Sequence, residues 1–178
     1  EALRARDIPT QVIGLGGLLD QPAVADLRAA LELSVDVTNT HWLVRLLTNL
    51  DLGASDLRVL GEWARHLARL SDDVAHPPTL LLDAVDSPPD PGWTPGRDVP
   101  GFTEAAAQRV RVLGQRLRAV RRGAGRGVVE QVERAVSVLG LAEDVVADPL
   151  LNTGRESLDA FVDAAADFEA GARGATLR

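Results

Sequence analysis

The stretch that decides the fold is residues 40–70, THWLVRLLTNLDLGASDLRVLGEWARHLARL, in which two runs with helical spacing flank a short turn. The first run, which we expect Thr40 to cap, repeats leucine three or four residues apart, at Leu43, Leu46, Leu47 and Leu50. The second run opens at Ser55 and predicts an apolar face made of Leu57, Leu60, Ala64, Leu67 and Leu70. Gly53 lies between them, so the sequence predicts a hairpin of two helices.

Helical patterns continue outward from this hairpin in both directions. Pro22 suits the first turn of a helix over residues 22–33, with Val24, Leu27, Ala30 and Leu31 on one face. Further helices are predicted at residues 80–85 after a Thr79 cap, at 104–122 after Thr103, at 128–139 and at 155–171, with a possible extra turn at 141–147. Only residues 10–13, between Pro9 and Gly14, have the pattern of a strand. The expected fold is all-α, an irregular helical domain of six or seven helices with one short N-terminal strand.

The chain of 178 residues is expected to form a single domain, residues 1–178. Residues 86–102 contain five prolines and three glycines. We interpret them as a surface loop, since neither half of the chain has an obvious core of its own. The sequence opens at Glu1 without a methionine, and we expect it to be a fragment of a longer protein.

Composition excludes several classes of chemistry. There is no cysteine, which excludes disulfides, thiol catalysis and cysteine-ligated metals. All 19 basic residues are arginine, and a Walker A loop or a Schiff base requires lysine. We therefore expect no catalytic residues and no cofactor in this chain. No apolar run approaches the roughly 18 residues that span a bilayer, so no membrane partner is expected. The net charge of −7 disfavours nucleic-acid binding by the whole surface but permits a local basic patch.

Three possible sites have plainer explanations. The GLGG sequence at residues 14–17 resembles a dinucleotide-binding turn, but residue 19 is leucine, and we expect a flexible turn at a domain edge. His66, Asp72, Asp73 and His76 have suitable chemistry for a metal-dependent hydrolase, yet their spacing matches no ligand motif, and a polar surface is the simpler interpretation. His41, next to Trp42, is expected to pack, because no nucleophile and base pattern accompanies it.

Two features indicate anion binding. The predicted helix 104–122 carries a stripe of arginines, Arg111, Arg118 and Arg122, on the side opposite its apolar face. This arginine stripe suits phosphates or an acidic partner, and it is equally consistent with a solvated face. At the hairpin, a tight turn before the helix at Ser55 exposes backbone N–H groups that suit a phosphate. Gly53, Ala54 and Ser55 are the candidate residues, although helix–turn–helix joints are common.

Read in order, these pieces resemble the accessory 2B subdomain of UvrD/Rep-type DNA helicases. The motifs that carry the resemblance are IPTQVIG at residues 8–14, GGLL at 16–19, LLT at 46–48, the Gly53 turn leading to Asp56 and Leu57, and LDAF at 158–161. Residues 71–150 match only in helical character. The sequence of residues 14–19 is most similar to that of actinobacterial helicases, including helicase–nuclease subunits of the AdnAB type. One departure is Asp51, where the family usually has arginine or glycine before an Ile-Gly pair.

The resemblance implies a role. The parent would be a cytoplasmic, ATP-dependent 3′-to-5′ DNA helicase of DNA repair, with ATP and Mg²⁺ bound by motor domains outside this chain. The 2B subdomain would be inserted in the second motor domain and would modulate unwinding through its orientation and its contacts. The implied partners are DNA, bound weakly or conditionally, the rest of the motor and, in a helicase–nuclease complex, the partner subunit. The alternative is a free-standing all-α interaction module that docks an acidic partner through the arginine stripe.

Overall fold

The computed structural model describes residues 15–70, 81–123, 125–141 and 152–172. Within these ranges the chain forms eight helices and no strand, so the predicted all-α class is confirmed. The number exceeds the six or seven helices predicted, because residues 14–17 were expected to form a turn whereas 15–19 are helical. The helices are α1 Leu15–Leu19, α2 Pro22–Val35, α3 Thr40–Thr48, α4 Ala54–Leu70, α5 Leu81–Asp86, α6 Glu104–Arg121, α7 Val128–Leu139 and α8 Asn152–Gly171. The predicted strand at residues 10–13 lies outside the described residues. The predicted extra turn at 141–147 does so too, except for residue 141.

Helix α1 corrects the expectation of a chain turn at residues 14–17. Residues 15–19 are helical although two of them are glycine, a residue that weakens helices by about 1 kcal/mol relative to alanine. Leu18 is buried at 6% exposure, and its packing against the core supplies what the local sequence lacks. Gly14 itself lies outside the described residues.

Helix α2 lies at the centre of the molecule, in contact with α3, α6, α7 and α8. Pro22 occupies its first turn, where the missing N–H costs nothing. The apolar face predicted for this helix is buried, at Val24, Leu27, Ala30 and Leu31. Ala29 is fully buried as well, and its small side chain allows neighbouring helices to approach the axis.

The hairpin of α3 and α4 differs from prediction in two details. Thr40 is the first residue of α3 instead of its cap, and the preceding Asn39 makes no side-chain capping bond. On α4 the buried residues are Asp56, Val59, Leu60 and Ala64. Leu57 and Leu70, both predicted for the apolar face, are 39% and 65% exposed. The face of α4 is rotated because Asp56 turns inward to bond to the start of α6, as described below.

Residues 87–103 connect α5 to α6 and fold back on themselves. The amide of Gly92 donates to the carbonyl of Phe102 at 2.7 Å, and the amide of Phe102 donates to the carbonyl of Trp93 at 2.8 Å. Phe102 is 1% exposed and anchors the connection in the core. Trp63 of α4 donates from Nε1 to the carbonyl of Ser87 at 2.6 Å, which fixes the other end of the segment.

Helices α5 and α6 approach each other very closely at Gly114. A Cβ atom placed on Gly114 would lie 2.4 Å from the carbonyl oxygen of Val85, so only glycine allows this crossing. Thr103 caps α6, accepting at its side chain from the amide of Ala106 at 3.2 Å. Helix α6 therefore has a fixed start, a fixed crossing point, and two flanks that meet different parts of the chain.

The far end of α6 is bonded to α7. Gln131 is 1% exposed and donates from Nε2 to the carbonyl of Val120 at 3.0 Å. Arg134 donates to the carbonyl of Ala119 at 3.4 Å, so α7 side chains satisfy carbonyls in the last turn of α6. Helix α8 caps α7 in turn, since Glu169 accepts from the amide of Val129 at 2.8 Å. In the described part of the chain, no helix combines the length and apolarity needed to cross a bilayer.

Candidate nucleic-acid interface

The turn between α3 and α4 owes its shape to Asp51. This residue has a φ of 49°, in the left-handed region that aspartate tolerates better than most side chains. Gly53, at which the sequence predicted the tight turn, has no positive φ. Asp51 is 98% exposed at its side chain, so its carboxylate lies at the tip of the hairpin.

The start of α4 presents unoccupied backbone donors to solvent. Gly53, Ala54 and Ser55 are exposed, and no acceptor among the described residues bonds to their amides. The first helical bond at this end runs from the amide of Leu57 to the carbonyl of Gly53, at 3.0 Å. The three candidate residues of the hairpin therefore lie together as one exposed set of N–H groups at a helix N-terminus.

Asp56 fastens this turn to α6. Its carboxylate is 8% exposed and accepts from the backbone amide of Thr103 at 2.9 Å and from the Thr103 hydroxyl at 3.1 Å. Because Thr103 is also the cap of α6, one threonine connects the N-termini of α4 and α6. The hairpin tip is therefore held in a fixed position on the body of the domain.

Arg109 of α6 makes a second contact with the tip. Its Nη1 donates to the backbone carbonyl of Asp51 at 2.6 Å and lies 3.8 Å from Oδ2 of the same residue. The guanidinium offsets part of the negative charge that Asp51 brings to the turn. Sequence reasoning did not foresee this contact, because residues 58 positions apart carry no periodic signal.

The arginine stripe is divided by the structure. Arg118 donates from Nη1 to the carbonyl of Asp86 at 2.6 Å and contacts its Oδ1 at 3.2 Å. Arg121 reaches Oδ2 of the same carboxylate at 2.5 Å. We call these contacts of Arg118 and Arg121 with Asp86 the Asp86 clamp. It holds Arg118 in a structural bond at the end of α5. Arg111 bonds to Gln108 on its own helix at 3.0 Å, and Arg122 is exposed without a bond to any described residue.

The hairpin and the arginine stripe lie on different flanks of α6. Arg109 and Arg118 are nine residues apart, so at about 100° per residue their side chains leave the helix on opposite sides. Arg109 meets the hairpin tip, whereas Arg118 meets α5. The two sets of candidate residues therefore do not form one continuous surface.

The two histidines in the described part of the chain are packed against aromatic rings. His66 is stacked on Trp63 with ring centroids 5.1 Å apart, and Trp93 lies 4.9 Å from Trp63. Asp72, Asp73 and His76, its proposed co-ligands, lie outside the described residues, and the described part of the chain holds no group of three or more metal-ligating side chains. His41 packs edge-on against Trp42, whose ring also carries the guanidinium of Arg28 at 4.9 Å.

Two acidic side chains have shifted pKa values outside this interface. Burial raises the pKa of Asp26 above 3.8, and the nearby Arg45 and Asn49 lower it by less. Asp26 contacts Nε of Arg45 at 2.8 Å and accepts from the Asn49 amide at 2.7 Å, which ties α2 to the end of α3. Hydrogen bonds from Thr38 lower the pKa of the exposed Asp36. Both acids organise the chain around α3.

The structure also contains a groove that sequence reasoning missed. It has a volume of about 220 Å³ and lies between the end of α3 and the hairpin-side flank of α6. Its lining is almost wholly apolar at the floor, with arginines at the rim, and comprises Leu50, Gln108, Arg109, Val112, Leu113 and Arg116. The available signal was Val112, an apolar residue next to the main stripe of α6.

No family model matches this chain, and no curated protein matches its sequence. The function is therefore inferred from the residues and from the geometry described above.

Proposed function

We propose that this chain is a non-catalytic accessory domain of an ATP-dependent 3′-to-5′ DNA helicase, of the 2B type found in UvrD/Rep helicases. It modulates unwinding by contacting the duplex weakly and by docking on the motor. The observation that carries the proposal is the fixed, exposed hairpin tip of Gly53, Ala54 and Ser55, whose amides are unoccupied. The helical hairpin and the all-α fold are consistent with the resemblance to the 2B subdomain, which rests on the order of the sequence motifs.

The chemistry of the tip suits a single phosphate. Backbone N–H groups at a helix N-terminus favour an anion, and the length of α4, 17 residues, gives it a full dipole. The carboxylate of Asp51 opposes this, and Arg109 at 3.8 Å offsets part of the opposition. The expected affinity for duplex DNA is therefore low.

The arginine stripe has a reduced part in this proposal. Arg118 is bonded to Asp86 and is not available to phosphate without breaking that clamp. The exposed Arg122, and Arg111, which is half-buried and bonded only to Gln108, can still add to the binding of a duplex that extends over the other flank. An interaction module that docks its partner through all three arginines is disfavoured for the same reason.

The remaining parts of the proposal concern the parent protein. ATP and Mg²⁺ would be bound by motor domains, with this chain supplying no catalytic group. The partners would be DNA, the motor and, in a helicase–nuclease complex, a second subunit, all in the cytoplasm. The first test is the gene: a Walker A motif is expected upstream of these codons and the other motor motifs downstream, and their absence would refute the helicase assignment.

The second test is duplex binding by this chain in a salt series. Because few phosphates are contacted, we expect weak binding that salt weakens further, with a slope equivalent to about two or three phosphates. Steeper dependence, with complete loss in an Arg111, Arg118 and Arg122 to alanine variant, would make the arginine stripe the main contact. Binding that salt does not weaken would contradict a phosphate contact altogether.

A further inference from the structure

The groove beside the hairpin is a candidate protein-binding site that is separate from the DNA contact proposed above. We propose that it binds one aliphatic side chain of an acidic peptide, whose carboxylates pair with Arg116 and Arg109. This inference does not depend on the helicase assignment, because it uses the groove floor and rim and not the amides of the hairpin tip.

The floor of the groove fits an aliphatic side chain. Leu50, Val112 and Leu113 line it, and its volume of about 220 Å³ exceeds the roughly 150 Å³ that holds a benzene molecule in a protein cavity. Leu50 and Val112 are half-buried, so apolar surface remains accessible to solvent there. Covering it with a leucine or isoleucine removes that surface from water, which is favourable.

The rim supplies charge of one sign. Arg109 and Arg116 are seven residues apart on α6, which places them two turns from each other on the same flank. Arg116 makes no bond to any described residue, whereas Arg109 already contacts Asp51. The sequence has no acidic residue between Glu104 and Glu130, so α6 offers no carboxylate of its own to Arg116. A carboxylate from a partner is the complementary group.

A peptide suits this groove better than a nucleic acid does. Single-stranded nucleic acids are held by aromatic side chains on which bases stack, and no aromatic residue lines the groove. Phosphates would meet the arginines but would leave the aliphatic floor uncovered. A segment that alternates Asp or Glu with Leu or Ile satisfies both the floor and the rim.

The test uses fluorescence anisotropy with a fluorescein-labelled octapeptide, Asp-Glu-Leu-Glu-Asp-Leu-Asp-Glu, titrated with the chain. The same peptide with serine in place of leucine should bind roughly tenfold or more weakly, because the aliphatic contact is lost. Val112→Asp should weaken binding of the parent peptide at least as much. Arg116→Gln should weaken it about threefold, as expected for an exposed ion pair.

Arg155→Gln is the matched control, since it removes the same charge from exposed α8, which packs on α7 and α2 and not on the groove. It should bind the peptide as the unaltered chain does. Circular dichroism checks that the Val112→Asp variant remains helical. If that variant loses its helical structure, Arg116→Gln, a substitution at the rim of the groove, provides a second test. Equal binding of the leucine and serine peptides, or no binding of either, would overturn the proposal. A single-stranded oligonucleotide that alone responds to Val112→Asp would overturn it as well, in favour of a nucleic-acid site.

Discussion

The two flanks of α6 carry the same kind of residue and use it differently. On the α5 flank, Arg118 and Arg121 close on the carboxylate of Asp86, and Gly114 lets the backbone of α5 come into contact. On the hairpin flank, Arg109 steadies the turn and Arg116 stands at the rim of an open groove. One flank is built into the fold, and the other remains available to a ligand.

This difference shows why a basic stripe is weak evidence for anion binding. Helical spacing divides the arginines of α6 between two flanks, but it does not show which of them the rest of the chain will bond. Their roles depend on which acid or carbonyl the rest of the chain brings to each flank. Asp86 arrives from a helix that ends 32 residues before Arg118, and it converts that arginine into a structural group.

The largest expected effect comes from closing the contact on the α5 flank. Gly114→Ala would place a Cβ atom 2.4 Å from the carbonyl of Val85, so α5 or α6 must move. We expect a loss of about 2–3 kcal/mol in the free energy of unfolding, the upper range for overpacking. Urea denaturation followed by circular dichroism at 222 nm measures it.

Gly61→Ala is the matched control for that substitution. Gly61 lies within α4, and a Cβ atom there would meet nothing within 4 Å. Alanine in a helix should therefore stabilise the chain by about 0.5–1 kcal/mol. If both variants were destabilised equally, the close approach at Gly114 would not explain the rigidity of the α5 flank.

The next largest effect concerns the Asp86 clamp. Asp86→Ala leaves the partly buried Arg121 without its acceptor and Arg118 with only the backbone carbonyl of residue 86, and we expect a loss of about 1–2 kcal/mol in stability. Glu62→Ala, which breaks the exposed pair with Arg65, should cost under about 0.5 kcal/mol. Duplex affinity should change less than about twofold in either variant. A severalfold gain in Asp86→Ala would show that Arg118 is a DNA ligand held in reserve.

A smaller effect on stability is expected at Asp26, a second carboxylate that contacts an arginine. Burial raises the pKa of Asp26 despite the contact with Arg45, so the folded state holds the proton more tightly than the unfolded chain does. Stability from this group is then present below 3.8 and falls as pH rises through the raised pKa. Asp26→Asn removes that fall.

Relative to the unaltered chain, Asp26→Asn should therefore gain stability as the pH of a urea denaturation series rises from about 3 to about 6. Asp36→Asn should do the opposite, since hydrogen bonds from Thr38 lower the pKa of Asp36 and its contribution is lost as pH falls. If the Asp26 variant instead lost stability relative to the unaltered chain over this range, attraction to Arg45 would outweigh burial.

Local pattern was enough to predict every described helix except α1, and it predicted many of their buried side chains but not all of them. The apolar face of α2 was predicted correctly. On α3, Leu43, Leu46 and Leu47 are buried as predicted, whereas Leu50 lies beyond the end of the helix and is half-buried.

The face of α4 was predicted only in part. Leu60 and Ala64 are buried as predicted. Leu57, however, is exposed because Asp56, a polar residue, is drawn inward by Thr103, which is 47 positions away. Tertiary hydrogen bonds of this kind have no periodic signature in sequence.

The candidate nucleic-acid interface was also predicted only in part from the sequence. The exposed tip at Gly53, Ala54 and Ser55 follows from a helix that begins after a short turn. The separation of the tip from the arginine stripe depends on how α6 is rotated between the hairpin and α5, which only packing determines. The groove escaped notice because Leu50 and Val112 belong to different helical patterns that meet in space.

The most direct test of the account is duplex DNA binding at low salt by Ser55→Glu beside a double variant, Arg111→Gln with Arg122→Gln. Glutamate in the first turn of α4 suits the helix dipole, so the fold is retained while phosphate is repelled. Ser137→Glu, at an exposed position of α7, is the control that adds the same negative charge elsewhere on the surface. The account predicts that Ser55→Glu removes most binding, while the double variant and Ser137→Glu lower it less than about threefold. Loss in the double variant with binding retained in Ser55→Glu would contradict it.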